Sequence, residues 1–511
     1  MLTISNNAIK RFGSPLEKYF LLKINFNNNP KFYSNDSVIV NDFVNNTEFY
    51  FKGTISNEIS LKNSLNIKDK SIDRQSITVN IIDSFNFFDF SKLHELNLIN
   101  AELLFITSNM DYSEAIKLYE GILSVNSVEL ENEYFNFSIT SKNDKFNKTF
   151  PPNQINSLLS YCLVTFDAEK YIGESIPIVF GLIPYPGYPI PLFYDDNSIR
   201  RYAIANHNVV NDATFKVYAD GIELSSSYYT KVWDVTNSIF YIQTSGTNYI
   251  NYFKGKKITC SCKGLLYTSD NPKISDVIKY MLLNYSYFSL KPSLIDESYI
   301  DFQGLYLNNF KVARFFNGIS TVFDSIEELQ NDFPFCLYDR DLKKTILSLD
   351  INSLSYNNIF LNTKHSFERI KGISISKPDE LFNIFTIRYK YDALNNRWLG
   401  YKKRDRFNDS KCLSCYNRIG YERDYGVLDL YSVYDDNVAE KILDYLVSMF
   451  SINLYYLTYK CLHNQIMYEL MDGILLIDED LGIDRKKFIV INKVIDRKFV
   501  YLTFRNTEII S

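Results

Sequence analysis

The residue types best able to bind metal or run acid–base chemistry are sparse in this chain. There are four histidines, His94, His207, His365 and His463. None is paired at HxH or HxxxH spacing, so no two can grip one ion from a single strand or helix. Each therefore reads as a structural imidazole. The seven cysteines are Cys162, Cys260, Cys262, Cys336, Cys412, Cys415 and Cys461. An odd, dispersed set is not a disulfide framework. Cys412 and Cys415 have CxxC spacing, and Cys260 and Cys262 would share one strand face. Together they could form a four-thiolate zinc site, but neither pair sits in a zinc knuckle, and buried free thiols are the better reading. Two acidic clusters, Asp435-Asp436 and Asp478-Glu479-Asp480, supply the carboxylates that glycoside hydrolysis uses in pairs. The first reads as a helix start and the second as a loop between strands, both solvated. A basic run with flanking aromatics, Tyr401–Phe407, reads as a surface loop or subunit contact. No GxSxG, HExxH, GxGxxG or GxxxxGK[ST] motif is present. The expectation is a protein with no catalytic residues, no metal and no cofactor.

The elements that would position such residues are mostly strands. The chain has 511 residues, 46% hydrophobic and 23% charged, with 40 Tyr and 39 Phe against 18 Gly. That composition suits a globular protein of several domains. The formal net charge of -5 argues against binding nucleic acid by bulk phosphate neutralisation. No apolar run is long enough to span a bilayer, and the first residues lack the apolar block of a signal peptide. Stable membrane insertion is not expected, and a reducing cytoplasm is the expected site of synthesis.

The pattern predicts a mainly β, α+β, multidomain fold with a few helices. Residues 1–150 alternate over Lys18–Phe26, Thr47–Phe51, Ser76–Ile82, Ala101–Ile106, Glu120–Val125 and Tyr134–Ile139, as in a barrel or sandwich. Residues 151–200 form a proline-rich connector, because Pro184, Pro186, Pro189 and Pro191 deny it a place as a central strand or helix. Residues 201–270 return to strands, with a hairpin turn at Asp220-Gly221. Residues 271–365 form an α+β unit. One helix is expected behind an Asn271 N-cap with Pro272 at its first position, a second over Val322–Asn331, and a hairpin of Phe335–Tyr338 with Thr345–Leu349. Residues 366–511 combine strands with a helix led by Asp435-Asp436-Asn437. Its stripe is Ala439, Ile442, Leu443, Leu446 and Phe450.

The order of several segments resembles that of phage tail hub and tip proteins. GESIPIVFGLI, Gly173–Ile183, is similar to that family's G-x-x-I-P-I-V-[FY]-G segment. Ala205–Leu224 resembles the "DH" region and V-Y-x-D-G strand that follow it. Ser269–Leu282, Val322–Asp350, Glu380–Asp392, Asp435–Phe450 and Met471–Gly482 resemble later family segments in the same order. Departures occur at Asp341 and Leu342, which occupy a turn where the family often has Gly, and at Asp472, which precedes Gly473 instead of following it. The resemblance implies a structural virion protein, the hub of a tail baseplate or tip, assembled in the host cytoplasm. It implies a homotrimer in which two tube-like β-barrel domains per chain adapt to the six-fold tail tube, with contacts to tube, distal tail, and spike or tip/fibre proteins. DNA would only pass through its lumen. Alternative readings are a tail tip attachment protein that binds a receptor, or a tail-associated glycosidase.

Overall fold

The structure is a computed structural model that describes residues 17–26, 29–53, 55, 59–74, 77–82, 99–108, 110–129, 134–140, 148–156, 162–163, 166–196, 198–286, 292–340, 343–375 and 380–508. It is mainly β and divided among several sheets. The first is eight-stranded, in the order Val38–Asp42, Thr47–Gly53, Asn29–Ser34, Lys18–Phe26, Asn100–Thr107, Ile116–Glu129, Tyr134–Thr140, Ile77–Ile82. Strict inside–outside alternation is visible in Ile77–Ile82, where Ile77, Val79 and Ile81 are buried. Ile55 bridges to Ile81 and donates its N–H to the Ser34 carbonyl at 3.1 Å. The last strand is thereby drawn back toward Asn29–Ser34, and the sheet curls into an incomplete barrel. The hairpin of Val38–Asp42 and Thr47–Gly53 joins it only at its base, through Tyr33↔Lys52 and Ser34↔Gly53.

The inner face of this barrel shares one core with the C-terminal sheet. Phe20, Phe105 and Phe137 lie in the same cluster as Phe360, Tyr459, Phe488 and Phe504. Leu61–Asn66 leaves the barrel and pairs with Ile483–Ile495, from Leu61↔Ile495 to Ser64↔Asn492. The turn that follows places Lys70 at the C-terminal end of the helix Val322–Asp332. There its ammonium donates to the carbonyls of Gln330, Asn331 and Phe333 at 2.5, 3.0 and 2.9 Å. The sequence of the closing strands suggests a meander, but the sheet order is Gly473–Asp478, Ile483–Ile495, Val500–Asn506, Tyr455–Cys461: the first of the four pairs with the last, and only the other three follow one another.

The proline-rich stretch is extended, as its prolines require, but it is also paired. Leu182–Pro189 is the edge strand of one four-stranded sheet and Leu192–Asp195 the edge of another. Pairing jumps from Ile183↔Cys262 to Tyr188↔Cys260, so Pro184, Tyr185, Pro186 and Gly187 bulge out past a single partner residue. A bulged edge needs no N–H from proline, which reconciles strand with sequence. Gly187 has φ +80°, and a Cβ there would meet the Cys260 carbonyl oxygen at 2.2 Å. The hairpin at Asp220-Gly221 is present, with φ of 49° and 81°.

The expected Asn271 cap is not formed. The helix starts at Ile274 with Lys273 at its N-cap, because the Asn271 side chain instead accepts the Leu182 N–H at 2.7 Å. Val322–Asp332 begins with a capping box between Thr321 and Asp324. Asp435 caps Asp436–Phe450, and every residue of its predicted stripe is buried. Among the described residues two helices of ten residues have no counterpart in the sequence reading. Glu297–Tyr306 lacks an apolar stripe because Gly304 lies on its buried face, where a Cβ would meet Ser275 Oγ at 2.7 Å. Ser410–Ile419 is bounded by Asp409, which accepts from the backbone N–H groups of Lys411 and Cys412, and by Gly420 at φ 80°. The predicted turn at Asp341 and Leu342 lies outside the described residues. Among the described residues no helix is long and apolar enough to cross a membrane.

Candidate functional site

The residues singled out for chemistry are used to hold the fold. His207 is buried. Its Nε2 accepts the Val179 N–H at 3.1 Å and its Nδ1 lies 2.8 Å from the Asn208 carbonyl. Those partners require a proton on Nδ1 and a neutral ring. Burial pushes its pKa down to about 4. His463 is likewise buried and pushed down to about 4. It stacks on Phe105 at 4.6 Å and donates Nε2–H to the Asp496 carbonyl at 2.8 Å. His365 accepts the Leu361 N–H at 3.0 Å, and His94 lies outside the described residues.

Cys412 and Cys415 share the buried side of Ser410–Ile419, one turn apart. Cys260 and Cys262 are buried in the strand Ile258–Lys263: Cys412 belongs to one hydrophobic cluster and the strand pair to another. The two pairs are not brought together. Burial raises the pKa of the Cys260, Cys412 and Cys415 thiols, which opposes the thiolate form that a metal needs. Among the described residues no three His, Cys, Asp or Glu side chains gather into a metal-sized group.

The acidic clusters are also occupied. Asp436 accepts from Tyr389 Oη and from Lys390 Nζ, the latter at 2.7 Å. Asp478 is fully buried, unlike the solvated loop residue expected, and takes Arg369 at 3.0 Å and Tyr459 Oη at 2.6 Å. The basic run is matched by carboxylates of the same chain. Lys402 pairs with Glu440 at 2.8 Å, Arg404 reaches Glu440 and Asp444, and Arg406 pairs with Glu422 at 3.2 Å. The helix Asp436–Phe450 therefore neutralises much of this strand, which removes the charge a nucleic-acid groove would need.

What remains is surface. The barrel hairpin places Ile39 directly opposite Tyr50, and both are exposed, at 60% and 58%. At its tip Phe43 and Val44 are 74% and 77% exposed. The tip is held rigidly: Asp111 accepts the Phe43 N–H at 2.6 Å, and Asp42 accepts from the backbone and side chain of Asn45 at 3.1 and 2.8 Å. Among the described residues Val38–Asp42 is one edge of the sheet, with no strand on its outer side. An apolar hairpin beside an open edge is the arrangement that proteins normally cover. Its signal in the sequence was Phe43-Val44 at a turn between alternating runs, where polar residues are usual. A second apolar face lies on the three-stranded sheet Arg397–Arg404, Ile384–Asp392, Asp424–Asp429, where Leu399, Tyr401 and Val427 are exposed.

Two segments of the family resemblance are joined in space. The Asn206 N–H donates to the Pro177 carbonyl at 2.7 Å, alongside the His207 contact to Val179. The motif's shared residues thus serve to lock two strands.

No family model matches the chain, and no curated protein matches it. Among solved structures it is similar to a chain of the virion of a native gene transfer agent particle, at 10% identity and a TM-score of 0.43, over 66% of this chain and 85% of that one. It is also similar to the 43 kDa tail protein of prophage MuSo2 from Shewanella oneidensis, at 9% identity and a TM-score of 0.38, over 96% and 98% of the two chains. A chain of the phage P2 baseplate in its activated conformation aligns over 71% of this chain and 99% of its own, at 10% identity and a TM-score of 0.18.

Proposed function

We propose that this chain is a structural, non-enzymatic component of a phage tail, the hub that joins the tail tube to the baseplate or tip. The observation that carries the reading is the incomplete N-terminal barrel with a rigid apolar hairpin at its open edge. An identical neighbour can cover such an edge, and identical heterologous contacts close into a ring when the rotation between copies closes. The order of the hub-like segments from Gly173 onward supports the same reading and supplies the expected number, a homotrimer. In this role the tube-like domains line a channel through which DNA passes, and the rest of the chain holds the distal tail, spike or tip/fibre proteins. The net charge of -5 suits a channel that DNA crosses without adhering.

The test is cryo-EM of the tail end of the assembled particle. Three copies stacked directly beyond the last ring of the tube are expected, with the Phe43–Val44 tip against the next copy. Finding the chain as a peripheral fibre, or as a six-fold ring within the tube, overturns the assignment.

A further inference from the structure

The four-stranded sheet that the proline bulge edges carries three turns that meet on its surface. They are the bulge at Pro184 to Gly187, the hairpin turn at Asp220-Gly221, and the turn at Lys254 to Lys257 that leads into the strand Ile258–Lys263. Tyr185 Oη donates to the Gly221 carbonyl at 3.3 Å, and its ring packs edge-on against Tyr218 at 5.1 Å. The Lys257 N–H donates to the Asp220 carboxylate and the Asp220 N–H to the Lys257 carbonyl, both at 2.9 Å. The N–H groups of Lys254 and Lys256 donate to the Tyr249 and Phe253 carbonyls, at 2.8 and 3.1 Å. These bonds hold the three turns as one piece of surface.

Apolar side chains stand at its crests. Ile222 is 73% exposed and Tyr185 60%. Ile250, 64% exposed, precedes Lys254 by four residues across one helical turn, so the two are neighbours. Around them Lys254, Lys256 and Lys257 are all exposed. Lys254 and Lys256 have no ion pair among the described residues, and the Lys257 ammonium donates to the Leu394 carbonyl at 3.3 Å. Of the carboxylates here, Glu223 is held by Lys216 at 2.8 Å and the buried Asp392 by Arg397 at 3.2 Å, which leaves Asp220. Three ammoniums against one carboxylate give a local positive excess on a chain whose formal net charge is -5.

This combination selects among partners. Exposed isoleucines gain nothing from phosphates, and three lysines fall short of the roughly six to ten phosphate contacts of a nucleic-acid site. A bilayer surface uses both halves. Isoleucine enters the boundary between headgroups and acyl chains, tyrosine lies at headgroup level, and lysines meet anionic headgroups. We infer that these turns form a peripheral docking site for a membrane surface rich in anionic phospholipid, with Ile222 and Tyr185 in the headgroup layer and Lys254, Lys256 and Lys257 on its phosphates. No segment crosses the bilayer in this mode. The site adds to the proposed tail role and does not depend on it.

Flotation of the purified full-length chain with lipid vesicles tests this. Vesicles of phosphatidylcholine with about one third phosphatidylglycerol should bind the chain at least about tenfold more tightly than pure phosphatidylcholine, and raising salt from about 0.1 M to about 0.5 M should remove most of that preference. Lys254→Glu with Lys256→Glu should weaken binding to the anionic vesicles at least about tenfold, and Ile222→Ser about threefold. All three positions are exposed, so thermal unfolding of these variants should match that of the parent. Phe43→Ser with Val44→Ser, on the other exposed hairpin, should leave vesicle binding unchanged. Equal affinity for the two vesicle types, undiminished binding in the folded lysine variant, or a loss confined to the Phe43 and Val44 variant overturns the proposal. So does binding of polyglutamate or duplex DNA that depends on these lysines while anionic vesicles are not bound.

Discussion

Lys70 and Arg505 occupy the same kind of place in two regions of the molecule. Each is a cation sent from a strand or turn to the C-terminal end of a helix that is distant in sequence. Lys70 meets three carbonyls at the end of Val322–Asp332, and all three ammonium protons are used. Arg505 meets one carbonyl and a sulfur at the end of Asp436–Phe450, and Nε is left without a partner among the described residues. Geometry sets the difference. A compact ammonium can be saturated by one ring of carbonyls, whereas a planar guanidinium has five donors in a fixed fork and needs a second acceptor to its side. The saturated cation ties the N-terminal segment to the α+β unit. The unsaturated one keeps a buried donor without a partner among the described residues. The imidazoles repeat the contrast: His207 uses both ring nitrogens, while Nδ1 of His463 has no partner among the described residues.

If this contrast is right, removing the two cations should have unequal consequences. Lys70→Met should cost about 2–3 kcal/mol in denaturant unfolding, because it strips three carbonyls of a charged donor and the helix of its terminal cation. Arg505→Met should cost clearly less. A loss as large as that for Lys70→Met would erase the distinction.

Acid sharpens the comparison, since both cations keep their charge there while the buried imidazoles must gain one. His207 and His463 are held near pKa 4, below the usual 6.5 of an unfolded chain. The unfolded state therefore binds protons first. Stability from the neutral rings is fully present above about pH 6.5 and falls as the pH drops toward 4. Between pH 7 and pH 5 the loss should be about 2 kcal/mol per imidazole. Replacing His207 with Gln should flatten part of that slope. An unchanged slope would mean that the ring is not buried neutral.

Next in size is Arg505→Met itself. An apolar chain of similar length removes an incompletely paired charge, so stability should change by no more than about 1 kcal/mol, in either direction. Urea unfolding of the folded variant is the measurement. A much larger loss would mean that the helix-end contact dominates and the orphaned Nε is incidental.

The smallest stability effect belongs to the barrel hairpin. Phe43→Ser with Val44→Ser should alter unfolding by less than about 0.5 kcal/mol, because both side chains are exposed. Incorporation of the chain into particles should nevertheless fall sharply, read by its abundance in purified tails. Normal incorporation would show that the hairpin is not an assembly contact.

Much of this architecture could be read from residue order. Alternation located six strands of the barrel sheet, though not Asn29–Ser34 or Val38–Asp42, and the stripe from Ala439 to Phe450 located the long helix together with its Asp435 cap. Asp220-Gly221 located its hairpin, because those signals are local and depend on backbone periodicity and φ alone. The absence of paired histidines was equally plain. Other features depended on what lay across from them. Asn271 resembles an N-cap but bonds to Leu182, a residue far away in sequence. The proline stretch resembles a connector, yet a bulge lets it edge a sheet. Asp478 resembles a solvated loop acid until Arg369 and Tyr459 enclose it. Arg505 sits at a polar position of an alternating strand, where solvent would be expected, and only the packing of a helix from elsewhere in the chain buries it. Periodicity assigns a side chain to a face of its strand. Whether that face meets water, a helix end or a cavity is set by long-range packing, and the cation's chemistry follows from that choice.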